Sequence, residues 1–154
     1  MLEIGQTAPV IISPNQNNQT INLSDYQGKQ NVVLYFYPKD DTPGCTIEAN
    51  DFTTLANDFA KANTVVIGVS KDDCDSHQAF IKKFALKVEL LADTSGEVCE
   101  AYNVWQLKEK SGISKMGIVR STFIINQKGQ LAYVEYGVAP DGHAAAMLEK
   151  VKTL

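Results

Sequence analysis

No stretch of this chain approaches the roughly 18 consecutive apolar residues of a membrane-spanning helix. The N-terminal MLEIGQTAPVIIS also lacks the basic start and long apolar core of a signal peptide. A cytoplasmic protein with reduced thiols is therefore expected. Positive charge is in deficit, with 14 Lys+Arg against 18 Asp+Glu and a formal net charge of −4. That balance argues against nucleic acid or an anionic membrane as partner. Cysteine is scarce and odd in number, at three, so a disulfide framework is excluded and at least one thiol is free or exchanges partners. A Cys-x-x-Cys pair is absent, which removes simple dithiol exchange chemistry. Cys74-x-x-His77 has no second ligand pair nearby to complete a four-ligand metal site, so no metal is expected. Repeats, low-complexity tracts and long linkers are missing too. What is present is ordinary globular composition, 44% hydrophobic and 21% charged over 154 residues, and one domain spanning 1–154 is the reading.

Strands and helices alternate along it. Val32–Tyr37 (VVLYFY) is a continuous β-rich apolar run, the mark of a strand buried on both faces. Pro38 ends it, and Lys39–Gly44 is a loop. From Cys45 to about Ala62 the pattern is helical, with Phe52, Leu55, Ala56 and Phe59 on one face. Thr64–Ser70 is a second buried strand. Asp73–Ala85 is a second helix with Ile81, Phe84 and Ala85 inward and His77 on an exposed or partly buried face. Val88–Leu91 is a short strand and Gly96–Asn103 a short helix. Lys108–Val119 is read as a basic, solvated loop. Thr122–Asn126 and Leu131–Tyr136 form a hairpin around Gly129, and Ala144, Met147, Leu148 and Val151 mark a last helix in which His143 is an ordinary residue near the start. Thr7–Leu23 adds a small N-terminal hairpin. The whole is an α/β sandwich with a mixed central sheet flanked by helices.

The chemistry concentrates in Pro38-Lys-Asp-Asp-Thr42-Pro43-Gly44-Cys45, between the first buried strand and its helix. Open α/β sheets place ligands at the carboxyl ends of their strands. A cysteine at a helix N-terminus meets unpaired N–H groups and a dipole that favour an anion there. The Thr42 hydroxyl donates and accepts hydrogen bonds. Asp40, Asp41 and Glu48 are locally unfavourable for a thiolate, so a distant cation is required. Arg120, just before the strand STFII, is the candidate because it reaches the same sheet edge and stays charged.

These residues resemble the peroxiredoxins, and most closely the peroxiredoxin Q subfamily, also called bacterioferritin comigratory protein. The likeness is carried by VLYFYPKDDTPGCTIEANDF, by GIVRSTFII, and by GVSKDD, SHQAF and GEVCEAYNVW elsewhere in the chain. The family pattern Pro-x-x-x-Thr-x-x-Cys is met at Pro38, Thr42 and Cys45. The resemblance implies a thioredoxin-like fold with an N-terminal β-hairpin extension, and a peroxidase that needs no cofactor. It implies that Cys45 attacks hydrogen peroxide or organic hydroperoxides and becomes a sulfenic acid. Pro38 shields that sulfur, Thr42 bonds the peroxide, Arg120 stabilises thiolate and transition state, and Glu48 orients the arginine.

One departure stands out. Many members carry a second cysteine five residues after the first, where this chain has Asn50. Some members place the resolving cysteine in a later helix, which corresponds to Cys99. Cys74, among Asp72, Asp73 and Asp75, is a poorer candidate because those charges disfavour a thiolate. A cycle with no internal resolver is the alternative. Thioredoxin or a similar dithiol protein is the implied reductant of a Cys45–Cys99 bridge. A monomer is the first expectation for the assembly, with a dimer the alternative.

Overall fold

The computed structural model describes residues 1–154. Its centre is a five-stranded sheet in the order β5 (Glu89–Ala92), β4 (Thr64–Ser70), β3 (Asn31–Phe36), β8 (Ser121–Ile125) and β9 (Leu131–Tyr136). The middle strand β3 is buried along its whole length, as a continuous apolar run requires. It pairs in parallel with β4 and antiparallel with β8. β5 extends the sheet beyond β4, and β9 beyond β8. Phe36 faces Val69 on one side and Ser121 on the other. The chain leaving β3 and the chain entering β8 therefore share one edge of the sheet.

Alternation along β3 divides the core into two layers. Val33, Tyr35 and Tyr37 point to one face, where they meet Phe52 of α1 (Pro43–Thr54), Phe59 of α2 (Ala56–Lys61), Phe80 of α3 (Cys74–Phe84) and Met147 of α5 (His143–Val151). Val32, Leu34 and Phe36 point to the other, against Ile11, Leu23 and the Val98, Cys99 and Tyr102 side chains of α4 (Glu97–Ala101) and its end. Tyr102 fixes the N-terminal segment by donating its hydroxyl to the Pro9 carbonyl at 2.7 Å. Each large apolar side chain buried here contributes about 1.5–3 kcal/mol relative to exposure.

Four expectations change. The helix read from Cys45 to Ala62 starts two residues earlier, because proline is tolerated in a first turn, and it breaks at Leu55 into α1 and α2. Thr54 Oγ1 bonds back to the Asn50 carbonyl at that break, 3.0 Å away. Ile81 and Phe84 of α3 do pack on the core, joined by the buried His77 and Phe80, but Ala85 is an exposed left-handed cap. The basic segment is a hairpin, β6 (Trp105–Lys110) and β7 (Ile113–Ile118), turned at Ser111 and Gly112, both with positive φ. That is the turn whose twist suits a two-residue hairpin, and its alternating charges hid the strand pattern. The N-terminal hairpin pairs only β1 (Ile12–Pro14) and β2 (Thr20–Asn22).

Gly68 in β4 lies beneath the Tyr35 ring. A Cβ there would sit 2.8 Å from Tyr35 Cζ and 2.8 Å from Leu90 Cδ2. Gly68→Ala is expected to cost about 1–3 kcal/mol through overpacking, read as a lower urea midpoint with an unchanged slope.

Candidate active site

The loop from Pro38 to Thr42 carries the chain from the end of β3 into α1. The helical ladder starts with the Thr46 N–H donating to the Thr42 carbonyl at 2.9 Å. The N–H groups of Gly44 and Cys45 precede that bond, so both belong to the unpaired first turn of α1. Cys45 is 2% exposed and packs with Ala49 and Phe52 in the helical layer.

Arg120 comes to this sulfur from the facing strand end. Its Nη2 donates to Cys45 Sγ at 3.4 Å, and its Nη1 donates to Glu48 Oε1 at 2.8 Å. Gly44 makes the approach feasible, because a Cβ there would stand 3.0 Å from Arg120 Nη2. The Arg120 carbonyl accepts from the Gly137 and Val138 N–H groups at 2.9 and 2.8 Å, which fixes its backbone. Glu48 is fully buried. Burial pushes its carboxyl up to about 7, and the neighbouring Arg120 charge pulls it down only in part. Its second oxygen, Oε2, has no partner, and neither does the buried Tyr35 hydroxyl. Burial, Glu48 and Cys45 together hold that phenol well above its ordinary range.

Thr42 Oγ1 donates to the Lys39 carbonyl at 2.8 Å, which spends its hydrogen and leaves its oxygen as an acceptor. Pro38 is exposed. It borders an open groove of about 730 Å³ shared with Trp105 of β6 and the lysines Lys71, Lys108, Lys110 and Lys115.

The other two thiols lie elsewhere. Cys99 is fully buried in the layer on the opposite face of the sheet from Cys45. Burial first, and then the Asp93 carboxylate, push its thiol well up. Asp93 also holds the start of α4 by accepting from the Val98 and Cys99 N–H groups at 3.1 and 2.8 Å. Cys74 is half-buried at the start of α3, with Sγ 3.9 Å from Asn18 Oδ1. All three cysteines are free.

One histidine differs from expectation. His77 is completely buried. Its Nδ1 lies 2.7 Å from Asp40 Oδ2 and its Nε2 lies 2.9 Å from the Leu91 carbonyl. The pairing brings Asp40, Asp72 and His77 together, with donor atoms within 4.8 Å of one another, but these atoms are engaged with each other and with Tyr37, Ser70 and Ser76. His143 is buried at the start of α5 with Nε2 2.8 Å from Thr122 Oγ1. The signal for His77 lay in its spacing one turn before Phe80 and Ile81, on the face that α3 turns inward.

A cysteine in the first turn of a helix, bonded to a guanidinium and without a second cysteine on the same helix, is the arrangement of a thiol-based enzyme. The AhpC/TSA family matches residues 4–134. A putative peroxiredoxin bcp of Helicobacter pylori (strain J99) is 47% identical over 150 residues, covering 97% of this chain and 98% of that protein. Peroxiredoxin Bcp of Bacillus subtilis (strain 168) is 44% identical over 153 residues, covering 99% and 97%. The solved structure of Xanthomonas campestris peroxiredoxin Q superposes with a TM-score of 0.90 at 35% identity, covering 99% and 96%. The chain belongs to the AhpC/TSA family, in its peroxiredoxin Q (Bcp) group, and is a thiol-dependent peroxidase with the thioredoxin-like fold of that family.

The raised Glu48 pKa has a consequence for stability. Such a group contributes stability that is complete below its ordinary value of 4.5 and is lost as pH rises through about 7. Wild type is therefore expected to lose stability relative to Glu48→Gln between pH 5 and 8.5, measured by urea unfolding at both ends. A gap that widens in the opposite sense would show that the carboxyl is held low instead.

Proposed function

We propose that this chain, working as one unit, reduces hydrogen peroxide and organic hydroperoxides through Cys45. The observation that carries the reading is the 3.4 Å contact between Arg120 Nη2 and Cys45 Sγ. The thiolate attacks the terminal oxygen of ROOH. A new S–O bond forms, the O–O bond breaks, and RO⁻ leaves and takes up a proton to give ROH. Negative charge grows on the departing oxygen, and Arg120 with the Gly44 and Cys45 N–H groups faces it as preorganised donors. The Thr42 oxygen accepts from the peroxide O–H and orients it. Pro38 shields the sulfur from bulk solvent, and Glu48 holds the guanidinium in place.

Cys99 then closes the cycle. Its thiol attacks the Cys45 sulfenic sulfur, the S–O bond breaks, and water leaves with the thiol proton. The two residues start on opposite faces of the sheet, and bridging requires Cα atoms within about 7 Å. The first turn of α1, the short helix α4 or both must therefore unwind. Thioredoxin or a similar dithiol protein reduces the bridge. The substrate assignment is supported by the Xanthomonas campestris bacterioferritin comigratory protein, whose solved structures concern alkyl peroxide reduction. That protein is 34% identical to this chain. No helix is long and apolar enough to cross a membrane, and the setting we assign is the cytoplasm, with the chain acting as a monomer and holding no metal or organic cofactor.

Peroxide consumption coupled to thioredoxin and its reductase tests this. Cys45→Ser is expected to abolish turnover, and Arg120→Met to slow the first step by about 10²–10³-fold. Peptide mapping after one equivalent of peroxide is expected to give a Cys45–Cys99 linked peptide. A lasting Cys45 sulfenic acid beside a free Cys99 would assign resolution to an outside thiol.

A further inference from the structure

His77 occupies a position that the peroxidase chemistry leaves unexplained. The Leu91 carbonyl only accepts hydrogen bonds, so the Nε2 facing it at 2.9 Å carries a hydrogen. On the other side, Asp40 is an acceptor on both oxygens. Oδ1 takes the Tyr37 hydroxyl at 2.6 Å, and Oδ2 takes the Ser76 hydroxyl at 2.8 Å along with His77 Nδ1. Both ring nitrogens are therefore committed, Nε2 to the Leu91 carbonyl and Nδ1 to Asp40. The Asp40 N–H donates in turn to Asp72 Oδ2 at 2.8 Å. Asp40 and Asp72 are the carboxylates that face the ring, and burial, which opposes its charge, is outweighed by them and by the Leu91 carbonyl.

What the two bonds join is the telling part. Asp40 belongs to the loop that runs into Cys45. Leu91 belongs to β5, which runs through Asp93 into α4 and Cys99, and Asp93 itself grips the Val98 and Cys99 N–H groups. One ring thus ties together the segments leading to two sulfurs that the sheet keeps apart.

We propose that His77 is a positioning residue for both halves of the cycle: its two bonds hold the Cys45 loop in the form that attacks peroxide, and their release accompanies closure of the Cys45–Cys99 disulfide. The second half rests on Cys99 being the resolving cysteine. The tie favours the folded arrangement of both segments, so weakening it disfavours the attacking form and favours the unwound one.

The test uses the full chain, treated with one equivalent of hydrogen peroxide and quenched rapidly for mass spectrometry. Two rate constants are read: loss of the Cys45 thiol, and conversion of the Cys45 sulfenic acid into the linked peptide. His77→Phe removes both bonds, while Asp40→Asn keeps the shape and removes the charge. In each, the first rate is expected to fall and the second to rise, by about fivefold or more. Circular dichroism establishes that each variant is folded, and Asp40→Asn decides the matter if His77→Phe is not. Unchanged rates, or an equal fall in both that tracks a lost folded fraction, would overturn the proposal. The Cys99→Ser background separates the two readings. If wild type gives no linked peptide, the resolver assignment falls by itself. The loss of Cys45 thiol in Cys99→Ser, with and without His77→Phe, then supports the positioning role if the variant slows it and overturns that role if it does not.

Discussion

The Arg120 guanidinium donates to two acceptors on the same helix, Glu48 at 2.8 Å and the Cys45 sulfur at 3.4 Å. The acceptors lie three residues apart, which puts them on one helical face. The cation must then arrive from another element, and the antiparallel pairing of β3 with β8 delivers it to the edge where α1 begins. Gly44 leaves the space for the last step of that approach. Burying Glu48 opposes its ionisation, so this ion pair is weak as a source of stability. Its value is geometric: it aims a permanent positive charge at one sulfur and at whatever oxygen that sulfur attacks.

The two halves of the cycle are unequally prepared by this fold. Cys45, Arg120 and Glu48 already meet at one sheet edge. Resolution has no such preparation. Cys99 is buried beneath the sheet, with its thiol pushed up and its helix held by Asp93. On the cycle proposed above, the segments that would have to move are short. α4 has five residues, and a helix of that length owes its existence to packing and capping rather than to its own ladder.

The meeting of Cys45 and Arg120 was legible in the chain. Cys45 stands in a Thr-Pro-Gly turn between an apolar run and a helical pattern, and Arg120 precedes a second apolar run. Local chemistry and strand order suffice to bring them together. The layering was not legible in the same way. Whether Cys99 faces Cys45 depends on which side of the sheet each helix packs, and periodicity within a helix is silent on that. His77 was misplaced because a titratable side chain reads as exposed until a buried acceptor is known, and Asp40 is distant in sequence. The β6–β7 hairpin was hidden for another reason. Its strands are exposed and lysine-rich, so the apolar alternation that marks a half-buried strand is missing.

The same hairpin gives the molecule an electrical asymmetry. The chain as a whole carries a net charge of −4, yet the groove beside Pro38 is lined by Lys71, Lys108, Lys110 and Lys115. A body of net negative charge with a cationic recess exerts a torque on any charged visitor. It turns anions toward the recess and repels them from the other faces before contact. Ions in solution weaken such long-range forces over about 10 Å.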